Sequence, residues 1–340
     1  MMKIFCQQKI ALIIIYSIIS INKIIAVKKE SHKKISIINN PHKVAMLTES
    51  PIKCLGYECY RWPYYLSLPL MWLLTFYVMN KKKAYKLLGL SGPKTNTLFF
   101  DGLGKSCRKV KDYAASWKAM DIIYNHPFKM NLSVGGILDE FYWRSQNCQA
   151  LRNRYKLVKH LLKNTTPKFG KEIRLASLAC GGGQAILETI AEFKSEGIII
   201  KAILIDINGE ALKRAEKTAE KYGIKDQIET FKADLSKENS VLKDFKPQIV
   251  EMLGFLDYVE DNQAISFLKN INDSLDEKGV IITCNINPNP EQYFIKWVIN
   301  WPMVYRKPSQ LIDIAKSANF KDCKIILEPL KIHGLLVAKK

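Results

Sequence analysis

A chain of 340 residues with 48% hydrophobic and 25% charged residues has the composition of a globular protein, which excludes disorder over most of its length. With 17 Gly and 13 Pro it is not a collagenous or low-complexity chain, and eight cysteines without dense spacing do not make a disulfide-stapled scaffold. The net charge of +20 lies entirely in residues 1–170, which hold 28 Lys/Arg against 8 Asp/Glu, while residues 171–340 balance at 24 each. That asymmetry fits an anionic partner such as a membrane surface, a nucleic acid or an acidic ligand, and a lysine- and isoleucine-rich compositional bias gives the same count.

Lys3 and Lys9, the apolar run 10–21 and the small residue Ala26 have the layout of a signal peptide. The run is shorter than the roughly 20 apolar residues of a membrane span. A cleaved signal, a tethering helix and a true start near Met46 are three readings of this stretch. Residues 28–50 show no period and read as a polar linker. A second apolar segment, 64–79, contains Trp72, is broken by Pro69 and ends at Lys81, Lys82 and Lys83. It suits either a membrane interface or a buried helix. Gly104-Lys105-Ser106 is no phosphate loop, because Phe99 stands where that motif needs its first glycine.

Apolar residues recur at three and four over 137–163, which predicts one long amphipathic helix. Beyond Pro167 and Gly170, strand-like runs at 174–178, 198–205, 227–232, 249–253, 279–284, 323–327 and 334–338 alternate with helical stretches at 184–195, 209–222, 263–275 and 308–317. Such alternation predicts an α/β domain, doubly wound around a mostly parallel sheet. The expected division is a signal-like or anchor segment with linker (1–45), a basic helical extension (46–136) and the domain that carries this alternation (137–340).

The most informative stretch is Ser177-Leu178-Ala179-Cys180-Gly181-Gly182-Gly183-Gln184, an apolar strand entering a glycine-rich turn and then a helix. Glycines there let the backbone adopt positive φ and approach a ligand, with free N–H groups at the helix start. The next strand ends at Asp206, 23 residues past Gly183, where a carboxylate can accept both hydroxyls of a ribose. A second acid, Asp234, follows the third strand. Two acids after consecutive strands exceed what a dinucleotide site requires, although each also reads as a helix cap.

These residues resemble the class I S-adenosylmethionine-dependent methyltransferases, with Ser177 where that family commonly has an acid and Ala179 where it commonly has a glycine. The resemblance spans residues 137–340 and implies a Rossmann-like, seven-stranded sheet with S-adenosyl-L-methionine as cofactor. It implies a cofactor site formed by Ala179, Cys180, Gly181, Gly183, Asp206, Ile207, Asp234 and Leu235. More loosely, Gly254–Tyr258 with Asn287-Pro288-Asn289-Pro290 and the aromatic stretch from Tyr293 to Arg306 resembles a bacterial subgroup that forms methyl esters of hydroxy fatty acids. That likeness implies a small-molecule or lipid-like acceptor, such as a fatty-acid carboxylate, bound by Tyr293, Trp297, Tyr305 and Arg306.

The aromatic stripe reads equally as core, and Arg306 as a surface residue. The fourth strand leads to Glu251, Asp257 and Tyr258, the candidate catalytic residues, with His333 as a further base. The Asn/Asp-Pro-Pro-aromatic signature of amino-group methylation is absent there, and Asn287-Pro288-Asn289-Pro290 follows the wrong strand, which argues against base methylation. Arg152 and Arg154 either hold the cofactor or substrate carboxylate or are solvated. Cys54 and Cys59 lack the partner pair of a zinc site, so no metal is expected. The expected enzyme works in the cytoplasm, in possible contact with the inner membrane face. Nucleic acid is the less favoured partner. Rival readings are an RNA or protein methyltransferase docking through its basic half, and a non-catalytic binding protein on a degenerate fold.

Overall fold

The computed structural model describes residues 47–48, 56–59, 62–126, 133–235 and 240–340. The signal-like segment, most of the linker and Cys54 lie outside them. In chain order the elements are strand β1 (Leu47–Thr48), helices α1 (Trp62–Leu87), α2 (Lys105–Asp112), α3 (Trp117–Tyr124), α4 (Val134–Trp143) and α5 (Gln146–Thr165), then β2 (Glu172–Leu178), α6 (Gln184–Ser195), β3 (Ile199–Asp206), α7 (Gly209–Lys221) and β4 (Ile228–Lys232). They continue with α8 (Ser240–Phe245), β5 (Ile249–Met252), α9 (Asp261–Ser274), β6 (Val280–Ile286), α10 (Gln292–Trp297), α11 (Pro308–Ser317), β7 (Lys321–Leu327) and β8 (His333–Lys339).

The sheet runs β4-β3-β2-β5-β6-β8-β7, seven strands as expected, with the two-residue β1 added in parallel beyond β7. Only β8 runs antiparallel to its neighbours. Every residue of β5 and β6 is buried, because a parallel sheet covered on both faces needs continuous apolar strands. One face packs against α5, α6 and α7 through Leu157, Leu161, Ile186, Ile190 and Leu212. The other packs against α8, α9 and α11 through Leu242, Leu268, Ile271, Leu311 and Ile314. From β2 the chain winds outward through β3 to β4, then returns to lay β5 on the other side of β2. The ends of β2 and β5 therefore flank the crevice where open α/β sheets bind ligands.

Three expectations change. The helix predicted over 137–163 is two helices, parted at Arg144 and Ser145. The Ser145 hydroxyl caps the second by accepting the Cys148 N–H, and the buried Glu291 carboxylate accepts the N–H groups of Gln146 (2.9 Å) and Asn147 (3.0 Å). A new helix start is thus stabilised inside an otherwise continuous apolar pattern. Pro69 does not break α1, which continues through it; a proline removes one intrahelical hydrogen bond, which tertiary packing can offset. That packing comes from Met71 and Val78, buried in a cluster with Phe100, Val110, Ile123, Trp143, Phe294 and Val298. The stretch read as linker contributes β1, paired with Ile325 and Ile326.

Candidate functional site

Ser177, near the end of β2, is followed by Ala179 at φ 49°, Gly181 at φ 54° and Gly183 at φ 61°, so the turn doubles back through left-handed conformations. Ala179 takes a φ that favours glycine. The turn is closely covered: a Cβ at Gly181 would lie 3.0 Å from the Trp117 Cβ at the start of α3. Asp206, at the end of β3, locks it from below. Its carboxylate accepts the Gly181 N–H and the Asn208 N–H, both at 2.8 Å, one on each oxygen. Each oxygen keeps acceptor capacity for a ligand hydroxyl.

These elements open onto a cleft of about 500 Å³, lined at one end by Ala179, Cys180, Gly181, Gly183, Asp206 and Ile207. Ile207 is 65% exposed, an apolar flank beside the Asp206 carboxylate. Burial and the neighbouring Asp206 and Glu251 carboxyls push the Cys180 thiol up, so it stays neutral. Asp234 and Leu235 are not among the cleft's walls. Leu235 turns into the core beside Leu178, Ile205, Leu242 and Met252, where an apolar side chain finds better partners.

The same cleft collects Glu251 from β5, Asp257 and Tyr258 from the turn after it and His333 from β8, together with Arg154, Ile286, Trp301 and Met303. Burial raises the Glu251 carboxyl to about 7, against the Ser177 hydrogen bond and the Arg154 charge. Asp257, whose Oδ1 accepts from Ile286 N (2.8 Å) and Asn285 Nδ2 (2.9 Å), is raised to about 6 by burial. The Tyr258 hydroxyl accepts the Trp301 indole N–H at 2.6 Å, and burial pushes its ionisation well up, so it is a phenol and not a base. His333 is buried with neither ring nitrogen hydrogen-bonded; burial and the Arg154 charge hold it well below the usual histidine range, hence neutral.

Neither of the paired arginines is solvated. Arg152 makes a bidentate pair with Glu58, at 2.7 and 2.6 Å. Arg154 is buried and donates to soft or neutral groups, Cys284 Sγ at 3.7 Å, Met120 Sδ at 3.6 Å and the Tyr124 hydroxyl at 3.1 Å, with its Nε unpartnered. Among the described residues no carboxylate forms a contact ion pair with it, although the Asp257 and Glu251 carboxyls lie near enough for its charge to act on them; a ligand anion would complete its pairing.

The expected acceptor residues are placed otherwise. Arg306 is 2% exposed and fully engaged, donating to Asp261 Oδ1, the Leu256 and Val259 carbonyls and Asn285 Oδ1. With all three nitrogens engaged it ties the loop after β5 to β6, and it is not among the cleft's walls. Tyr293 is 61% exposed on the outer face of α10, and Phe294 is core. Neither Trp297 nor Tyr305 lines the cleft; Tyr305 packs beside Ile286, Leu330 and Ile332. Of the aromatic stripe only Trp301 reaches it. Sequence reasoning assigned no role to Trp117, Met120 and Tyr124, which close the cleft from α3, because nothing in their spacing marks them as more than one side of a helix.

Among the described residues no group of His, Cys, Asp and Glu side chains is arranged to hold a metal. The fold matches the crystal structure of a "possible exported protein" from Bordetella parapertussis, with TM-score 0.60 and 16% identity over 79% of this chain and 96% of that one. A magnesium protoporphyrin IX methyltransferase from Synechocystis PCC 6803 aligns at TM-score 0.49 and 12% identity, over 69% of this chain and 99% of that one. A SAM-dependent methyltransferase from Archaeoglobus fulgidus aligns at TM-score 0.42 and 20% identity, over 55% and 94%. No curated protein matches the sequence. A family model described as "Putative methyltransferase" matches residues 101–340, taking in α2 to α4 as well as the α/β domain. The chain belongs to this methyltransferase family.

Proposed function

We propose that the enzyme transfers the methyl group of S-adenosylmethionine to a small-molecule acceptor with an apolar, lipid-like body. The observation that carries this reading is the convergence of the glycine turn and the Asp206 carboxylate on one end of a single cleft. The residues fit the cofactor. Asp206 would accept the ribose hydroxyls, Ile207 would flank the adenine, and the turn's close backbone would admit the ribose and sulfur. Arg154, buried with its Nε unpartnered, would take the methionine carboxylate. Asp234 remains a candidate for the adenine amino group.

When bound, S-adenosylmethionine supplies an electrophilic methyl on a positively charged sulfur. What the chain must then do is align the acceptor in line with that methyl and exclude water. Trp117, Met120 and Tyr124 cover the cleft from one side, and Ile286, Ile295, Trp301 and Met303 give its far end apolar walls. Those walls support an acceptor with an apolar body. A fatty-acid carboxylate is one such acceptor, but Arg306 is engaged elsewhere and does not anchor it. The neutral His333 can accept a hydrogen bond from an acceptor, and Asp257 holds the loop after β5 against β6.

The reading also puts the enzyme at a cytoplasmic membrane face, since the cofactor is a cytosolic metabolite. Among the described residues no helix is long and apolar enough to cross a membrane. Helix α1 nevertheless exposes Leu66, Leu70, Trp72, Leu73 and Phe76, an apolar surface suited to lie on one.

Calorimetry with S-adenosylhomocysteine tests the cofactor assignment. The wild type should bind it, and Asp206→Ala should lose roughly 10- to 150-fold in affinity, the worth of hydrogen bonds to a charged group. Absence of binding to the wild type at millimolar ligand would sink the reading.

A further inference from the structure

The motif that marks the cofactor turn usually carries an acid at the end of its first strand, and here Ser177 stands in that position. The sheet shows where a carboxyl group is instead. Ser177 of β2 and Glu251 of β5 are register partners on adjacent parallel strands. Partners in a sheet project to the same face, and the Ser177 hydroxyl donates to Glu251 Oε2 at 2.5 Å. Both side chains line the cleft, and both are buried. On either side the neighbouring register positions are apolar, Leu204 on β3 and Ile282 on β6, and both belong to the core. Among the described residues no Lys, Arg or His forms an ion pair with Glu251. A buried carboxyl group flanked by apolar register positions, open to a cleft and with no cation in contact, since Arg154 acts on it only from a distance, favours a cationic ligand.

Resting on the cofactor reading above, we propose that Glu251 supplies from β5 the acid missing at Ser177 and binds the ammonium group of the methionine moiety, so that Glu251 and Arg154 form a subsite for an α-amino-acid zwitterion. In the sequence Glu251 reads as a candidate catalytic residue; the geometry makes it a binding residue. Glutamate is longer than aspartate by one methylene, which suits reach across from the next strand, and Ser177 holds the carboxyl by one oxygen. The arrangement keeps a negative group beside the cofactor while leaving the end of β2 small and uncharged, where the turn passes beneath Trp117.

The test compares three ligands by calorimetry. S-adenosylmethionine carries ammonium and sulfonium, S-adenosylhomocysteine carries ammonium alone, and 5′-methylthioadenosine lacks the amino-acid moiety. Glu251→Gln keeps the shape and an acceptor for Ser177. It should weaken S-adenosylmethionine and S-adenosylhomocysteine alike, by roughly 10- to 150-fold, and change 5′-methylthioadenosine less than about twofold. Adding Ser177→Asp to Glu251→Gln should restore most of the loss, and thermal unfolding of each variant checks that the fold is kept. Equal affinity of wild type and Glu251→Gln for S-adenosylhomocysteine would overturn the proposal. So would a loss confined to S-adenosylmethionine, which would place Glu251 against the sulfonium, or an equal loss for all three ligands, which would make its role structural. If the wild type binds none of the three, the cofactor reading itself fails.

Discussion

Glu251 and Asp257 bind protons more tightly in the folded protein than in the unfolded chain, since burial raises them to about 7 and about 6 from ordinary values near 4.3 and 3.9. Unfolding therefore releases protons between pH ~4 and ~7, and the stability of the ligand-free protein falls as pH rises through that window, levelling above it. Denaturant midpoints measured from pH 4.5 to 8 should decline, with the decline shallower in Glu251→Gln; a midpoint rising across the range would contradict this. Arg306 shows a different limit at the same scale. A single arginine among aromatic residues offers no sign in the sequence of whether it faces a ligand or the interior, and here three of its acceptors are carbonyl or amide oxygens, two of them buried. Arg306→Met leaves those acceptors unpaired and should cost on the order of 3 kcal/mol of stability. In urea titrations the midpoint should fall, while S-adenosylhomocysteine affinity of the folded fraction changes little. The place of Asp206 at a strand end beside the glycine turn is legible in the strand spacing. The place of Arg154 was not, because its burial depends on α3 and β6, far away in sequence.

At the scale of elements, the pattern of apolar runs is enough to locate every strand of the α/β domain within about two residues, since parallel strands buried on both faces must be apolar throughout. Helix continuity is less legible. The break at Ser145 depends on Glu291, which reaches α5 from the loop after β6, and no local pattern announces a cap supplied from 145 residues away. The glycine turn is legible as a turn, but not as one pressed against a helix. Gly181 combines a left-handed φ with the Trp117 Cβ at 3.0 Å from where its own Cβ would be. Gly181→Ala must therefore strain the backbone and move α3 as well. We expect a loss of roughly 1–3 kcal/mol in stability and a weakening of S-adenosylhomocysteine at least as large as that of Asp206→Ala, measured by thermal unfolding and calorimetry. Gly182→Ala is the control, with its nearest neighbour at 3.5 Å and no positive φ; it should cost clearly less on both measures.

Across the whole molecule, the basic excess of the first half and the apolar helix that interrupts it are two properties of one region, and the fold relates them. Helix α1 turns Met71 and Val78 inward to a cluster shared with Phe294 and Val298 of the α/β domain, and Lys82 donates to the Trp297 carbonyl at 2.8 Å. Its outer side carries Tyr65, Leu66, Trp72, Leu73, Phe76 and Tyr77, each more than half exposed, and is followed by the exposed Lys83 and Lys86. The sequence offers an interfacial segment and a buried helix as alternatives; the helix has one buried side and one exposed apolar side. Leaving that many large apolar side chains in water is unfavourable by roughly 1.5–3 kcal/mol apiece relative to burial, and each exposed lysine adds about 1 kcal/mol of attraction to an anionic surface. Full-length protein should therefore sediment with vesicles of phosphatidylglycerol and phosphatidylcholine, and less with phosphatidylcholine alone. Salt should weaken binding only in part, because the apolar contribution is not screened. Trp72→Glu with Phe76→Glu should abolish sedimentation while leaving S-adenosylhomocysteine affinity intact, since neither side chain lines the cleft. Vesicle binding that survives both substitutions would assign the apolar side of α1 to another partner.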